Sequence, residues 1–176
     1  MTNLQNCLGS CSIYVGTYTK YNNGLLLGKW LNLSDYSDYN ELLEAMKELH
    51  KDEHNAEFMF QDYENCSFFE KLGLINENFL SAEIYEISRQ IDNSCYDIEI
   101  FEAYVDCIGK LDFQSIYNNV MNYYIGEYSS DETFAQSILE EDILDNLPNY
   151  IYVDWEATSR NLMYDYFESN RHYFKS

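Results

Sequence analysis

The sequence predicts an α+β fold built from three small domains, and three features predict it. Apolar residues make up 46% of the chain and aromatics 17%, far too much for a disordered acidic polymer. Both ends carry β-branched and aromatic runs bounded by Asn, Gly and Ser, the pattern of strands and turns. Between them, apolar residues recur at helical spacing in short stretches. The 176 residues divide into a flexible 1–12, an N-terminal antiparallel sheet with a helix over 13–68, a central helical domain over 69–112 and a C-terminal mixed domain over 113–176.

Ser12-Ile-Tyr-Val-Gly-Thr-Tyr-Thr19 reads as the first strand. Tyr21-Asn-Asn-Gly24 tolerates positive φ and predicts a hairpin turn, with Leu25 to Leu33 returning as the second strand. Asp38, with Glu41 three residues on, has the form of a helix cap, and Leu42, Leu43, Met46 and Leu49 keep helical spacing behind it. Glu57 to Tyr63 is a third strand. Leu80, Ile84, Ile87 and Ile91 form one helical stripe. Ser94 offers a cap for the next, formed by Ile98, Phe101, Val105 and Ile108 and stopped by Gly109. Phe113 to Ile125 repeats the pattern through Ile116 and Val120. Ser129 with Glu132 suggests a helix through Phe134 and Ile138, and Asp154 suggests another after Pro148. Tyr164 to Phe167 and His172 to Phe174 flank Ser169-Asn170 as a terminal hairpin.

No apolar run approaches the roughly 20 residues that span a bilayer. Met1 to Ser12 has neither a basic region nor a hydrophobic core and does not read as a signal peptide. The five cysteines (Cys7, Cys11, Cys66, Cys95, Cys107) form an odd, scattered set that fits reduced thiols in a cytoplasmic protein. His50-Lys-Asp-Glu-His54 places two histidines four apart, but it is not the His-Glu-x-x-His arrangement and falls where a helix should end, so surface histidines are expected and no metal. There is no phosphate-binding glycine loop, no nucleophile elbow and no marked carboxylate pair, so neither a catalytic residue nor a cofactor is expected.

Charge is the abnormal quantity. Lys and Arg number 10 and Asp and Glu 31, a formal net charge of −21. Acids outnumber bases 8 to 4 over residues 1–60, 12 to 3 over 61–112 and 11 to 3 over 113–176, so the excess runs along the chain instead of sitting in a tail. Glu99, Glu102 and Asp106 step by three and four without an interleaved base, where an ordinary solvated helix would mix signs. Such a surface repels nucleic acid and anionic lipid and suits a basic partner. Two copies would carry twice this charge, the formal charge of roughly 21 base pairs of duplex DNA.

Several segments, in order, resemble the ArdA antirestriction family. They are Ile13-Tyr-Val-Gly-Thr-Tyr-Thr-Lys-Tyr-Asn-Asn-Gly24 with Gly28-Lys-Trp-Leu31, Leu49-His-Lys-Asp-Glu53 through Glu57-Phe-Met-Phe-Gln-Asp-Tyr-Glu64, and Leu147-Pro-Asn-Tyr-Ile151 followed by Asp154 to Arg160. The likeness covers residues 13–176, more loosely over 66–125, and leaves the first dozen residues as an extra segment. It implies an elongated three-domain protein of mobile elements that dimerises through its C-terminal domain. It further implies that the protein imitates DNA and occupies the DNA-binding groove of a Type I restriction-modification enzyme at its methyltransferase core. By matched position, Asp52, Glu53, Glu57, Asp62 and Glu64 fall in the N-terminal acidic motif, and Asp131, Glu132, Glu140, Glu141 and Asp142 in the acidic stretch before the closing segment. Glu83, Glu86, Asp97, Glu99, Glu102 and Asp106 extend the expected partner-binding surface through the middle. The alternative is an acidic interaction module or chaperone for another basic DNA-binding protein, and a carboxylate enzyme is the minority reading.

Overall fold

The computed structural model describes residues 6–139, 147, 148 and 150–176. The chain is mixed α+β and packs as two compact units, Met1–Glu102 and Ala103–Ser176.

In the first unit, β1 (Ser12–Thr17) lies between β2 (Lys29–Asn32) and β3 (Phe58–Glu64) in an antiparallel sheet. Alternation sends Ile13 and Val15 inward, both fully buried, and turns Tyr14 to the other face. Tyr14 stands opposite Trp30 on β2 and Asp62 on β3. At Val15 the β3 register jumps to Phe60, so Gln61 is the extra residue of a bulge. The expected hairpin turn between β1 and β2 is instead a short helix. Thr17 Oγ1 accepts from the Lys20 N–H at 3.3 Å and caps α1 (Tyr18–Asn22), and Gly24 at φ +74° ends it. The second strand therefore begins at Lys29, four residues later than the apolar run suggests. Its approach is held by the Tyr14 hydroxyl, which accepts from the Gly28 N–H (3.1 Å) and donates to the Leu26 carbonyl (3.3 Å). A Cβ on Gly28 would lie 2.6 Å from the Tyr14 ring and 2.5 Å from the Val15 carbonyl oxygen, so only glycine allows this approach.

Asp38 caps α2 (Tyr39–Leu49), its Oδ1 accepting from Asn40 and Glu41 N–H at 2.8 and 3.0 Å. The Glu41 carboxylate reaches back to Ser37 rather than Asp38, and those bonds hold it below the usual carboxylate range. Leu42 and Met46 are the buried members of the expected stripe. After β3 come α3 (Ser67–Lys71), the two-residue strands β4 (Ile75–Asn76) and β5 (Phe79–Leu80), α4 (Glu83–Asp92) and α5 (Ile98–Ile108). Ile84, Ile87 and Ile91 are buried on α4, whereas Leu80, although buried, belongs to β5. Ser94 does not cap α5. Its hydroxyl accepts from the Tyr96 N–H inside the preceding turn. Gly109 follows α5 at φ +86°.

Two expectations about this unit change. Within the first dozen residues, expected to be flexible, Leu8 and Cys11 are buried, the Cys7 N–H donates to Asp92 (2.8 Å), and the Leu33 N–H donates to the Cys11 carbonyl. The cysteines are not all thiols, since Cys11 and Cys66 form a disulfide with Cα atoms 5.1 Å apart. Their proximity follows from the sheet, because Ser12 pairs with Glu64 and each cysteine lies just beyond that pair. A separation of 55 residues hid it from a linear reading.

In the second unit, Asp112 caps α6 (Phe113–Tyr123), which buries Ile116 and Val120 and runs directly into β6 (Tyr124–Glu127). The cap of α7 (Asp131–Ile138) is Ser130, one residue past the expected Ser129, accepting from the Thr133 N–H. Asp154 caps α8 (Trp155–Leu162) as its position suggests, and α8 packs on α7. β7 (Tyr166–Ser169) and β8 (His172–Lys175) form the terminal hairpin around Asn170 and Arg171, both at positive φ. The sheet order is β6-β8-β7. Phe134 is the hub of this core: it stacks on Tyr173 at 4.3 Å and meets Tyr166 and Tyr128 edge-on at 4.9 and 5.2 Å. Tyr128, Tyr166 and Tyr173 thus lend rings to this core, and the buried Tyr173 keeps its hydroxyl on Asp131 at 2.6 Å.

Reduction of Cys11–Cys66, or their joint replacement by alanine, should lower the unfolding free energy by roughly 2–4 kcal/mol for a closed loop of this length. Denaturant melts with and without reductant measure it.

Candidate partner-binding surface

The expected acidic residues separate into those that face solvent and those tied into the fold. Asp62 and Glu64 are exposed and alternate on the outer face of β3, opposite Tyr14 and Ser12. Same-face neighbours on a strand stand about 6.7 Å apart. Glu57 precedes the strand and is exposed. Glu83 and Glu86 open α4 on one exposed side; Arg89 meets Glu86 at 3.4 Å with both side chains largely in water, a pair worth little. Asp97 and Glu99 are exposed at the start of α5, and Asp106 is exposed near its end. Among the described residues, no ion pair holds Glu57, Asp62, Glu64, Glu83, Asp97 or Glu99.

Other members have internal duties. Glu102 is half-buried and accepts from Ser67 Oγ (2.6 Å) and Lys71 Nζ (2.9 Å) on α3. The absence of a base within α5 therefore does not leave Glu102 unpaired, and α3, the source of its partner, is remote in sequence. Asp131 accepts from the buried Tyr173 hydroxyl at 2.6 Å. Glu132 lies in the first turn of α7, held below the usual carboxylate range by its backbone N–H and the Ser130 hydroxyl. Glu140, Glu141 and Asp142 lie outside the described residues.

Asp52 and Glu53 belong to a cluster that the sequence did not assemble. The Lys20 ammonium donates to His50 Nδ1 (3.0 Å) and Asp52 (2.9 Å) and lies 3.4 Å from Glu53, which also accepts from Thr17 Oγ1 at 2.6 Å. An ammonium can only donate, so His50 Nδ1 accepts and its Nε2 carries the proton, donating to the Val15 carbonyl at 3.2 Å. His50 is therefore a buried brace between α2 and β1, not the surface histidine its sequence position suggested. The ligand atoms of His50, Asp52 and Glu53 lie within 4.8 Å of one another. The cation among them is the chain's own Lys20. Lys20 pulls the Asp52 carboxyl below its ordinary range, and the Thr17 hydroxyl, followed by Lys20, does the same for Glu53.

Among the described residues, seven bases are engaged in ion pairs, most with a carboxylate three or four residues away. Little positive charge is left to mask the exposed carboxylates. Sequence reasoning passed over Glu77, in the β4–β5 turn, whose carbonyl accepts from the Phe60 N–H at 2.7 Å and which therefore sits beside the β3 bulge. No motif marks it, and only the folded turn brings it there.

A family model described as Antirestriction protein (ArdA) matches residues 13–175. No curated protein matches the sequence.

Replacing Lys20 by methionine keeps the stem and strands Asp52 and Glu53 beside each other. Because their carboxyls are depressed in the fold, their contribution is full above the ordinary carboxylate range and is lost as pH falls through the depressed values. The variant should unfold at lower denaturant at neutral pH, and its acid-unfolding midpoint should lie at higher pH than the parent's, both readable by circular dichroism.

Proposed function

The chain belongs to the ArdA antirestriction family, and from that premise we propose that it is a DNA mimic that occupies the DNA-binding groove of a Type I restriction-modification enzyme. The observation that carries this reading is the set of exposed carboxylates that meet no base among the described residues: Glu57 just before β3, Asp62 and Glu64 on it, Glu83 on α4, Asp97 and Glu99 at α5. A DNA-binding groove draws most of its sequence-independent affinity from phosphate charge and counterion release. Fixed carboxylates on strands and helix turns offer that groove the same attraction without a cleavable backbone. Inhibition is then occupancy rather than chemistry, and its site is the methyltransferase core, which grips DNA. The same partner-binding role is proposed for Asp131, Glu132, Glu140, Glu141 and Asp142 in the second half of the chain. Pairing of two copies through the C-terminal domain would double the charge offered, and the cytoplasm is where the target enzyme meets incoming DNA.

The protein should displace duplex DNA from a Type I methyltransferase core, and its own affinity should fall as salt rises. Changing Asp62, Glu64, Glu83 or Glu99 singly to the amide should weaken binding gradually, each lowering the slope of log affinity against log salt by about 1. Simultaneous binding of protein and DNA by the enzyme, or one amide abolishing the effect, refutes the mimic. Fluorescence anisotropy of labelled DNA supplies both readings.

A further inference from the structure

The outer face of the first sheet holds an open groove of about 560 Å³, distinct in character from the carboxylate surface around it. Its walls are aromatic: Tyr14 and Trp30 meet edge to face at 5.6 Å, and Tyr21 stands nearby, 48% exposed. Leu26, Met59 and Gln61 share the lining with the exposed Asp62 and Glu77, and among the described residues no cationic side chain lines it. Among the described residues neither carboxylate is in an ion pair. The groove is built by specific backbone features. The bulge at Gln61 sets Asp62 opposite Tyr14, and Gly16, on which a Cβ would lie 2.9 Å from Gln61 Oε1, lets the glutamine lie across the strand. The Tyr14 hydroxyl, bonded on both sides to the 26–28 segment, fixes the ring that forms the wall.

Aromatic faces beside two unpaired carboxylates suit one class of ligand. A phosphate or acidic peptide is repelled by Asp62 and Glu77, and a neutral apolar group would leave both carboxylates unanswered. A guanidinium stacks on an aromatic face and offers forked donors to a carboxylate, whereas an ammonium is a hydrated point charge that gains less from stacking. We infer that this groove receives an arginine side chain of the basic partner, adding a stacked, charge-assisted anchor to the diffuse carboxylate attraction. The inference deepens the DNA-mimic reading in naming where one partner side chain seats. The groove's preference for arginine can nevertheless be tested without any restriction enzyme.

The test uses the full chain with octa-arginine and octa-lysine, peptides of equal charge, in calorimetric titrations at about 0.15 M salt. Octa-arginine should bind roughly two- to fivefold tighter, the range that stacking on an exposed ring supplies. In a Trp155→Phe background, where Trp30 is the remaining tryptophan, octa-arginine should quench its emission more than octa-lysine at equal occupancy. Trp30→Ala should erase the preference while leaving octa-lysine affinity near the parent value, and Trp30→Phe should keep part of it. Should Trp30→Ala lose its native circular dichroism, the exposed double change Asp62→Asn with Glu77→Gln must narrow the preference instead. Equal affinities in the parent, a preference that survives these variants, or unmoved Trp30 emission overturns the inference. Failure here alongside DNA displacement from the enzyme removes the groove and leaves the mimic. The preference without displacement does the reverse.

Discussion

A chain of 176 residues with 31 carboxylates and 10 bases must fold against its own charge, and the rest of the structure answers to that constraint. Part of the answer is local. Asp38, Asp112 and Asp154 cap helices, and Asp131 and Glu132 sit in a first turn, where backbone N–H groups and the helix dipole favour negative charge. The larger part is packing. Aromatic side chains bury more area per residue than aliphatic ones, so a few of them can secure a small core. Phe68, Phe69 and Phe101 are fully buried in the first unit, as are Phe134 and Phe174 in the second, with Tyr173 almost so. Others, such as Glu57, Asp62, Glu64, Glu83 and Glu99, face water, where they repel one another least.

The first sheet bears the greatest demand for accuracy, because its two faces have opposite tasks. A slip of one residue in β1 would turn Ile13 and Val15 outward and bury Tyr14. Three ties resist it. His50 holds the Val15 carbonyl from α2, the Cys11–Cys66 disulfide closes the open end, and the Gln61 bulge absorbs the one place where the register shifts. Lys20 belongs to the same system. Its three donors are satisfied by His50, Asp52 and Glu53, so one of the scarce cations is spent on orienting a buried histidine.

Local signals read well from this sequence, and long-range ones did not. Helices with a side-chain cap and a clean apolar stripe, such as Asp38 with Leu42 and Met46, or Asp154 ahead of α8, stand where the residues put them. Errors came where two local solutions compete. Thr17 can cap a turn of helix as easily as Tyr21-Asn-Asn-Gly24 can make a hairpin turn, and the helix forms. Ser129 and Ser130 are equivalent candidates until the backbone chooses between them. Glu57, Asp62 and Glu64, all three exposed, were legible as candidates through the family likeness. The diversion of Glu102 to Lys71, of Asp52 and Glu53 to Lys20, and the Cys11–Cys66 bond were not, because each partner is 31 to 55 residues away.

The same distinction between diffuse and local effects bears on recognition. A surface of carboxylates attracts any basic groove and is screened by salt, so charge alone would make this protein a ligand for every cationic surface it met. Discrimination needs contacts that depend on shape and fall off within a few ångströms. The described surface supplies them where aromatic side chains and unpaired acids share one face, at Tyr14, Trp30 and Asp62. These residues sit side by side on the three strands of the sheet whose register is most heavily constrained. Rigidity there reduces the ordering cost of binding, and it also keeps an exposed tryptophan from collapsing onto the sheet. On the proposed DNA-mimic reading, the part of recognition that charge cannot supply is thus carried by the best-braced sheet of the fold.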